Sequence, residues 1–130
     1  MIANTLRYTR LMITALLLLS GNLVKADAES VTVQEAASLS TQQHAIIVDV
    51  RELAEWQKSH IPNAIHIPLG DLEKRLPELA QYKNSPIITQ CRSGKRSLQA
   101  AKALKSAGFS EVYNMDGGLN AWQKAGLPSQ

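Results

Sequence analysis

The chain has 130 residues, of which 45% are hydrophobic, 5% aromatic and 19% charged, with a formal net charge of +3. That is room for one small globular domain. Seven glycines, five prolines and one cysteine exclude collagen-like, disordered and disulfide-scaffold chains, and a lone cysteine forms neither an internal disulfide nor a cysteine-cluster metal site.

The first segment reads as an address. Arg7 and Arg10 precede the apolar run Leu11–Leu19, which gives way to polar Ser20-Gly21-Asn22 and then to small residues around Ala26 and Ala28. This is the charged, apolar, polar order of a secretory signal peptide, with cleavage expected after Ala26 or Ala28. The apolar core is too short for a spanning helix of about 20 residues, so no stable membrane anchor is expected. Residues 1–28 are accordingly read as the signal peptide and 29–130 as the mature domain, exported and periplasmic. The mature part keeps eleven basic and ten acidic residues, a net charge of +1. It has no basic patch with interleaved aromatics, which argues against nucleic acid as a partner.

Within the domain, Thr32-Val33-Gln34-Glu35 reads as a capping box opening a short helix to about Leu39. Ala45–Val50 is an apolar, β-branched run expected to form a buried parallel strand. Glu52–Lys58 predicts a short helix, Ile65–Ile67 a short strand between prolines, and Asp71–Leu79 a helix broken near Pro77. Pro86–Gln90 predicts a second buried strand, with proline at its first position. Ser97–Ala107 predicts the strongest helix, with Leu98, Ala101, Leu104 and Ala107 near one face and Gly108 as its stop. Glu111–Met115 reads as a third strand and Gly118–Ala125 as a closing helix ended by Gly126. Strands alternating with short helices imply an α/β fold, a small parallel sheet with helices on both faces. The ligand site then lies beyond the carboxyl ends of the strands.

One segment carries the chemistry. Strand Pro86–Gln90 runs directly into Cys91-Arg92-Ser93-Gly94-Lys95-Arg96, followed by Ser97 at the expected helix start. The only cysteine thus sits at a strand's carboxyl end, before a helix amino terminus, with three cations and no acid in the loop. Gly94 permits a tight turn with successive N–H groups facing the sulfur, and the helix dipole adds partial positive charge. All of these favour thiolate over thiol. Ordinary burial of a cysteine does not explain the cations, and a merely solvated charge run has the wrong sign for a helix amino terminus. The reading is an activated nucleophile, Cys91, inside an anion cradle.

This loop, together with Ile47-Val48-Asp49-Val50-Arg51, Glu55-Trp56 and His60–Pro68 before it, and Gly117–Trp122 and Gly126-Leu127-Pro128 after it, resembles the single-domain rhodanese-like sulfurtransferases. The segments cover nearly all of the mature chain in the family's order. Ser59 and Asn63 depart from the usual glycines around His60-Ile61-Pro62; Asn63 tolerates a left-handed backbone, whereas Ser59 is expected to cost slight strain. The resemblance implies ping-pong transfer of sulfane sulfur through a Cys91 persulfide, from a small anionic donor such as thiosulfate to cyanide or a thiol. It implies a cradle of amides from Arg92 to Ser97, with Arg92, Lys95 and Arg96 orienting the donor and Ser93, Gly94 and Ser97 completing the binding loop.

Two other classes fit parts of the pattern. A cysteine-dependent phosphatase or arsenate reductase needs five residues between cysteine and arginine, and here Cys91 and Arg96 are separated by four. A rhodanese-like sulfur-carrier or binding module with little turnover would also keep the fold. No metal is expected, since His44, His60 and His66 have no ligand spacing, and no cofactor is implied. His60 is expected to bond the backbone before Pro62, Asp49 to bond loop amides, Arg51 to pair with Glu55, and Trp56 and Trp122 to anchor the core.

Overall fold

The computed structural model describes residues 28–130. The expected signal peptide up to Asp27 lies outside the described residues. Five strands are observed: β1 (Glu29–Val31), β2 (Ile46–Asp49), β3 (Ile65–His66), β4 (Pro86–Gln90) and β5 (Glu111–Met115). The helices are α1 (Val33–Gln42), α2 (Leu53–Lys58), α3 (Leu72–Arg75), α4 (Lys95–Ser106) and α5 (Gly118–Lys124), and α3 is flanked by 3-10 turns at Leu69–Asp71 and Leu76–Tyr82. All strand pairs are parallel, in the order β1-β5-β4-β2-β3.

Alternation along the strands explains why the sheet is covered on both faces. On β4, Ile87 points into a core with Val48, Val112 and the α4 residues Ala100, Ala101 and Leu104. Ile88, one residue on, points into the opposite core with Ile47, Met115, Ala36 of α1 and Trp122 of α5. Central β4 therefore ends between two helical layers, and the chain leaving it must turn at the sheet's carboxyl edge. Among the described residues no helix is long and apolar enough to cross a membrane.

The expected boundaries of β4 and β5 hold, as does the Thr32–Glu35 capping box, where Glu35 N–H donates to Thr32 Oγ1 at 3.1 Å. Three expectations need correction. Strand β1 was not anticipated; it is an edge strand whose pairing, Glu29 opposite Tyr113 and Val31 opposite Met115, comes from distant sequence. Helix α1 runs to Gln42 rather than Leu39. Helix α4 begins at Lys95, two residues before Ser97, because Gly94 takes a left-handed φ of 109° that permits the chain to enter helix immediately after the loop.

Candidate active site

Cys91 follows the last residue of β4 and is 1% exposed. Its Sγ accepts from the Gly94 N–H at 3.1 Å and lies 3.3 Å from Ser97 Oγ. The loop is shaped from outside. At the start of α5, Leu119 N–H donates to the Cys91 carbonyl at 2.8 Å and Asn120 N–H to the Arg92 carbonyl at 3.1 Å. Gln90 Nε2 adds a second donor to the Cys91 carbonyl at 2.7 Å. A trans peptide opposes its C=O and N–H, so carbonyls drawn outward toward α5 turn the following amides inward toward the sulfur.

Such close contact requires glycine. A Cβ on Gly118 (φ 55°) would lie 2.5 Å from the Cys91 carbonyl oxygen and 2.6 Å from Arg92 backbone atoms. Gly118 is therefore the point on which the cysteine loop rests.

Burial pushes the Cys91 thiol up, but the Ser97 hydroxyl and the backbone amides of Ser97, Gly94 and Ser93 together outweigh it, and the net result is a thiol titrating below the ordinary cysteine value. The amides of Ser93, Gly94 and Ser97 that act on the sulfur all belong to the Arg92–Ser97 loop.

The three cations differ in their surroundings. Arg92 and Lys95 are exposed at the mouth. Arg96 is held by Glu55 of α2 in a two-pronged pair, Nη1 to Oε1 at 2.7 Å and Nη2 to Oε2 at 3.0 Å. The Arg96 guanidinium, opposed by some desolvation, holds the Glu55 carboxyl down to about 2. The expected Arg51–Glu55 side-chain pair is corrected accordingly. Arg51 instead clamps the buried Asp49 carboxylate, with Nη2 to Oδ2 at 2.7 Å, and donates to the Ser59 carbonyl at 2.8 Å. Asp49 also accepts from the Arg51 amide, as anticipated.

Two further expectations change. Trp56 is half-buried rather than a core anchor, because α2 buries no residue; its ring stacks on His60 at 3.7 Å and His66 at 4.8 Å between centroids. Ser59 is extended (φ −166°) and carries no strain, whereas Asn63 is left-handed at φ 65°. Trp122 is buried and donates to the Pro128 carbonyl, and His60 Nδ1 bonds the Trp56 carbonyl.

Sequence reasoning passed over Gln90 and Asn114, both buried, and the role of α5. Asn114 Nδ2 donates to the Gly94 carbonyl at 3.1 Å, and its Oδ1 accepts from Ser97 Oγ at 2.6 Å. The available signal was a polar side chain near the carboxyl end of each strand, Gln90 on β4 and Asn114 on β5.

The model of the rhodanese-like domain matches residues 32–125, most of the chain. The chain belongs to the rhodanese-like family. It is 35% identical over 98 residues to the thiosulfate sulfurtransferase GlpE of Vibrio cholerae, covering 75% of this chain and 91% of that one. It is 47% identical over 76 residues to YrkF of Bacillus subtilis, a protein named as a sulfur carrier, covering 58% of this chain but spanning only 40% of that protein's length. Among solved structures, a thiosulfate sulfurtransferase from Pseudomonas aeruginosa superposes with a TM-score of 0.71 at 28% identity, over 79% of this chain and 20% of that one. Every residue of the cysteine loop described above lies inside the rhodanese-like match.

Proposed function

We propose that this rhodanese-like chain is a sulfurtransferase that carries sulfane sulfur on Cys91, with thiosulfate as a donor and cyanide or a thiol as acceptor. One observation carries this reading: a buried, singular cysteine whose sulfur faces inward-turned amides, under a mouth flanked by exposed Arg92 and Lys95. In the first half-reaction the Cys91 thiolate attacks the outer sulfur of thiosulfate; the S–S bond breaks and sulfite leaves with its electron pair. The persulfide anion then lies where amides of Ser93, Gly94 and Ser97 solvate it. In the second, cyanide or a thiolate attacks the outer sulfur, and the Cys91 thiolate is released as the leaving group.

The similarity to thiosulfate sulfurtransferases supports turnover, while the similarity to YrkF favours a carrier as the second reading. A carrier would load Cys91 but release sulfur only to a dedicated protein. A phosphatase is disfavoured by the short loop and by Arg96, whose guanidinium is occupied by Glu55 rather than turned to an oxyanion. Residues 29–130 are proposed as the exported, periplasmic domain on the pattern of the first 28 residues, with Arg92, Ser93, Gly94, Lys95, Arg96 and Ser97 forming its substrate loop.

Intact-mass analysis of purified protein, before and after thiosulfate and then cyanide, tests the reading. The expected result is gain of one sulfur, its loss on adding cyanide, and neither in Cys91→Ser. Absence of the adduct with both thiosulfate and polysulfide overturns it, and an adduct that cyanide does not remove selects the carrier. The same spectra of the secreted form place the amino terminus at residue 27 or 29; an uncleaved chain refutes the export reading.

A further inference from the structure

Asn114 lies on β5, 4% exposed, and meets the cysteine loop at the Gly94 carbonyl and the Ser97 hydroxyl. The orientation of its amide is set by its neighbours. The Gly94 carbonyl can only accept, so the Asn114 atom 3.1 Å from it is the NH2 group, and the atom 2.6 Å from Ser97 Oγ is the amide oxygen. That oxygen also only accepts, which makes Ser97 the donor. A serine hydroxyl has one proton, and the same Oγ stands 3.3 Å from Cys91 Sγ.

While Cys91 is a thiol the geometry is self-consistent: S–H points to Ser97 Oγ, and Ser97 O–H points to Asn114. Ionisation creates a conflict. The thiol proton leaves to solvent, and the sulfur becomes an acceptor beside a hydroxyl whose proton is turned away. The hydroxyl must rotate, breaking its bond to Asn114 Oδ1 and forming one to Sγ, with no heavy atom displaced. Asn114 Oδ1 is then a buried acceptor without a donor, which carries a free-energy cost.

We infer that Asn114 is a positioning residue that acts on the nucleophile through Ser97, competing with the sulfur for the single Ser97 proton and so restraining ionisation of Cys91. If sulfur transfer is as proposed above, the competition has a direction. In a persulfide the charge moves to the outer sulfur, Sγ becomes a neutral and weak acceptor, and Ser97 returns its proton to Asn114. The switch then favours the sulfur-loaded state over the bare thiolate.

A purely structural role predicts something different. The Gly94 carbonyl also accepts the Leu98 N–H at 3.2 Å, so the loop remains tied to α4 when the Asn114 side chain is removed. The test is an ultraviolet thiolate titration of the intact protein, whose one cysteine gives an unambiguous signal. In Asn114→Ala the midpoint is expected to move down, the thiolate fraction on the acid side rising roughly two- to tenfold, the factor that one net hydrogen bond carries. In Ser97→Ala the midpoint moves up, and in the double variant it coincides with Ser97→Ala. Asn114→Leu fills the same space without an acceptor and repeats the test should the alanine variant fail to fold. An unchanged or raised midpoint in the Asn114 variants, or an equal shift with and without Ser97, overturns the inference. No sulfur donor enters the titration, so its outcome is separate from that of the sulfur-transfer reading.

Discussion

Substituting Gly118 by alanine probes whether α5 sets the orientation of the cysteine loop. The added Cβ would lie 2.5 Å from the Cys91 carbonyl oxygen, and ordinary contact begins near 3.4 Å, so the helix start must retreat by about 0.9 Å. That retreat stretches the Leu119-to-Cys91 bond from 2.8 Å and the Asn120-to-Arg92 bond from 3.1 Å to roughly 3.7 and 4.0 Å, beyond hydrogen-bonding range. Two lost bonds at about 1 kcal/mol each, plus about 1 kcal/mol for alanine at a left-handed φ, give a destabilisation of about 3 kcal/mol. A domain with 5–15 kcal/mol of typical stability stays folded at 25 °C. Its loop, however, loses the outward pull that turns the amides toward sulfur. The expected outcome is a melting temperature lowered by roughly 10–20 °C and a more than tenfold loss of thiosulfate:cyanide kcat/KM under conditions where circular dichroism remains native. Wild-type activity, with a stability change under about 0.5 kcal/mol, would refute the claim that this contact shapes the site.

Other expectations follow from the same geometry. Glu55→Gln should lower stability at neutral pH by about 1 kcal/mol, because the pair with Arg96 is one-third exposed and solvent screens most of what its shift implies. Since the folded-state pKa is depressed from 4.5 to about 2, that contribution is complete above pH 4.5 and disappears as pH falls toward 2; urea denaturation in which the wild-type–variant difference persists at pH 2 contradicts it. The same variant frees Arg96 and should lower KM for thiosulfate in steady-state assays while stability falls, two effects of opposite sign from one change. Arg92→Ala and Lys95→Ala should raise KM for thiosulfate with kcat retained, and activity should decline with ionic strength in the parent and less in the double variant, since exposed charges are screened beyond about 8 Å at physiological salt. A salt-independent KM in the parent assigns no steering role to these side chains.

Where local pattern decides structure, the sequence was readable. Strand β4 is a β-branched run that begins at Pro86 and ends at Gln90, just before Cys91, and no competing period exists within it. The cysteine's place at the carboxyl edge of a parallel sheet follows from that strand and the helix behind it. Strand β1 was illegible because three residues with the burial pattern exposed, exposed, buried carry no periodicity; its existence depends on Tyr113–Met115, more than eighty residues away. Trp56 shows the limit of composition. An indole usually marks a core, yet α2 buries no side chain, and of the two imidazoles stacked on this ring His60 comes from four residues on while His66 is brought in only by β3.

The start of α4 shows why charge rules need three dimensions. Lys95 and Arg96 occupy its first turn, which also contains no acidic residue, against the preference of helix amino termini for negative charge. In one dimension that mismatch argued against a merely solvated charge run. The folded chain removes the mismatch by bringing Glu55 from α2, 41 residues away, to neutralise Arg96, while Gly94 supplies the backbone turn. The arrangement leaves the exposed cations Arg92 and Lys95 at the mouth and places amides and the Ser97 hydroxyl against the sulfur. Charge thus acts on a donor from outside, and hydrogen bonds act on Cys91 from within. The two functions reside on different side chains, so substitutions at the mouth should change KM and those in the cradle should change the ionisation of the nucleophile.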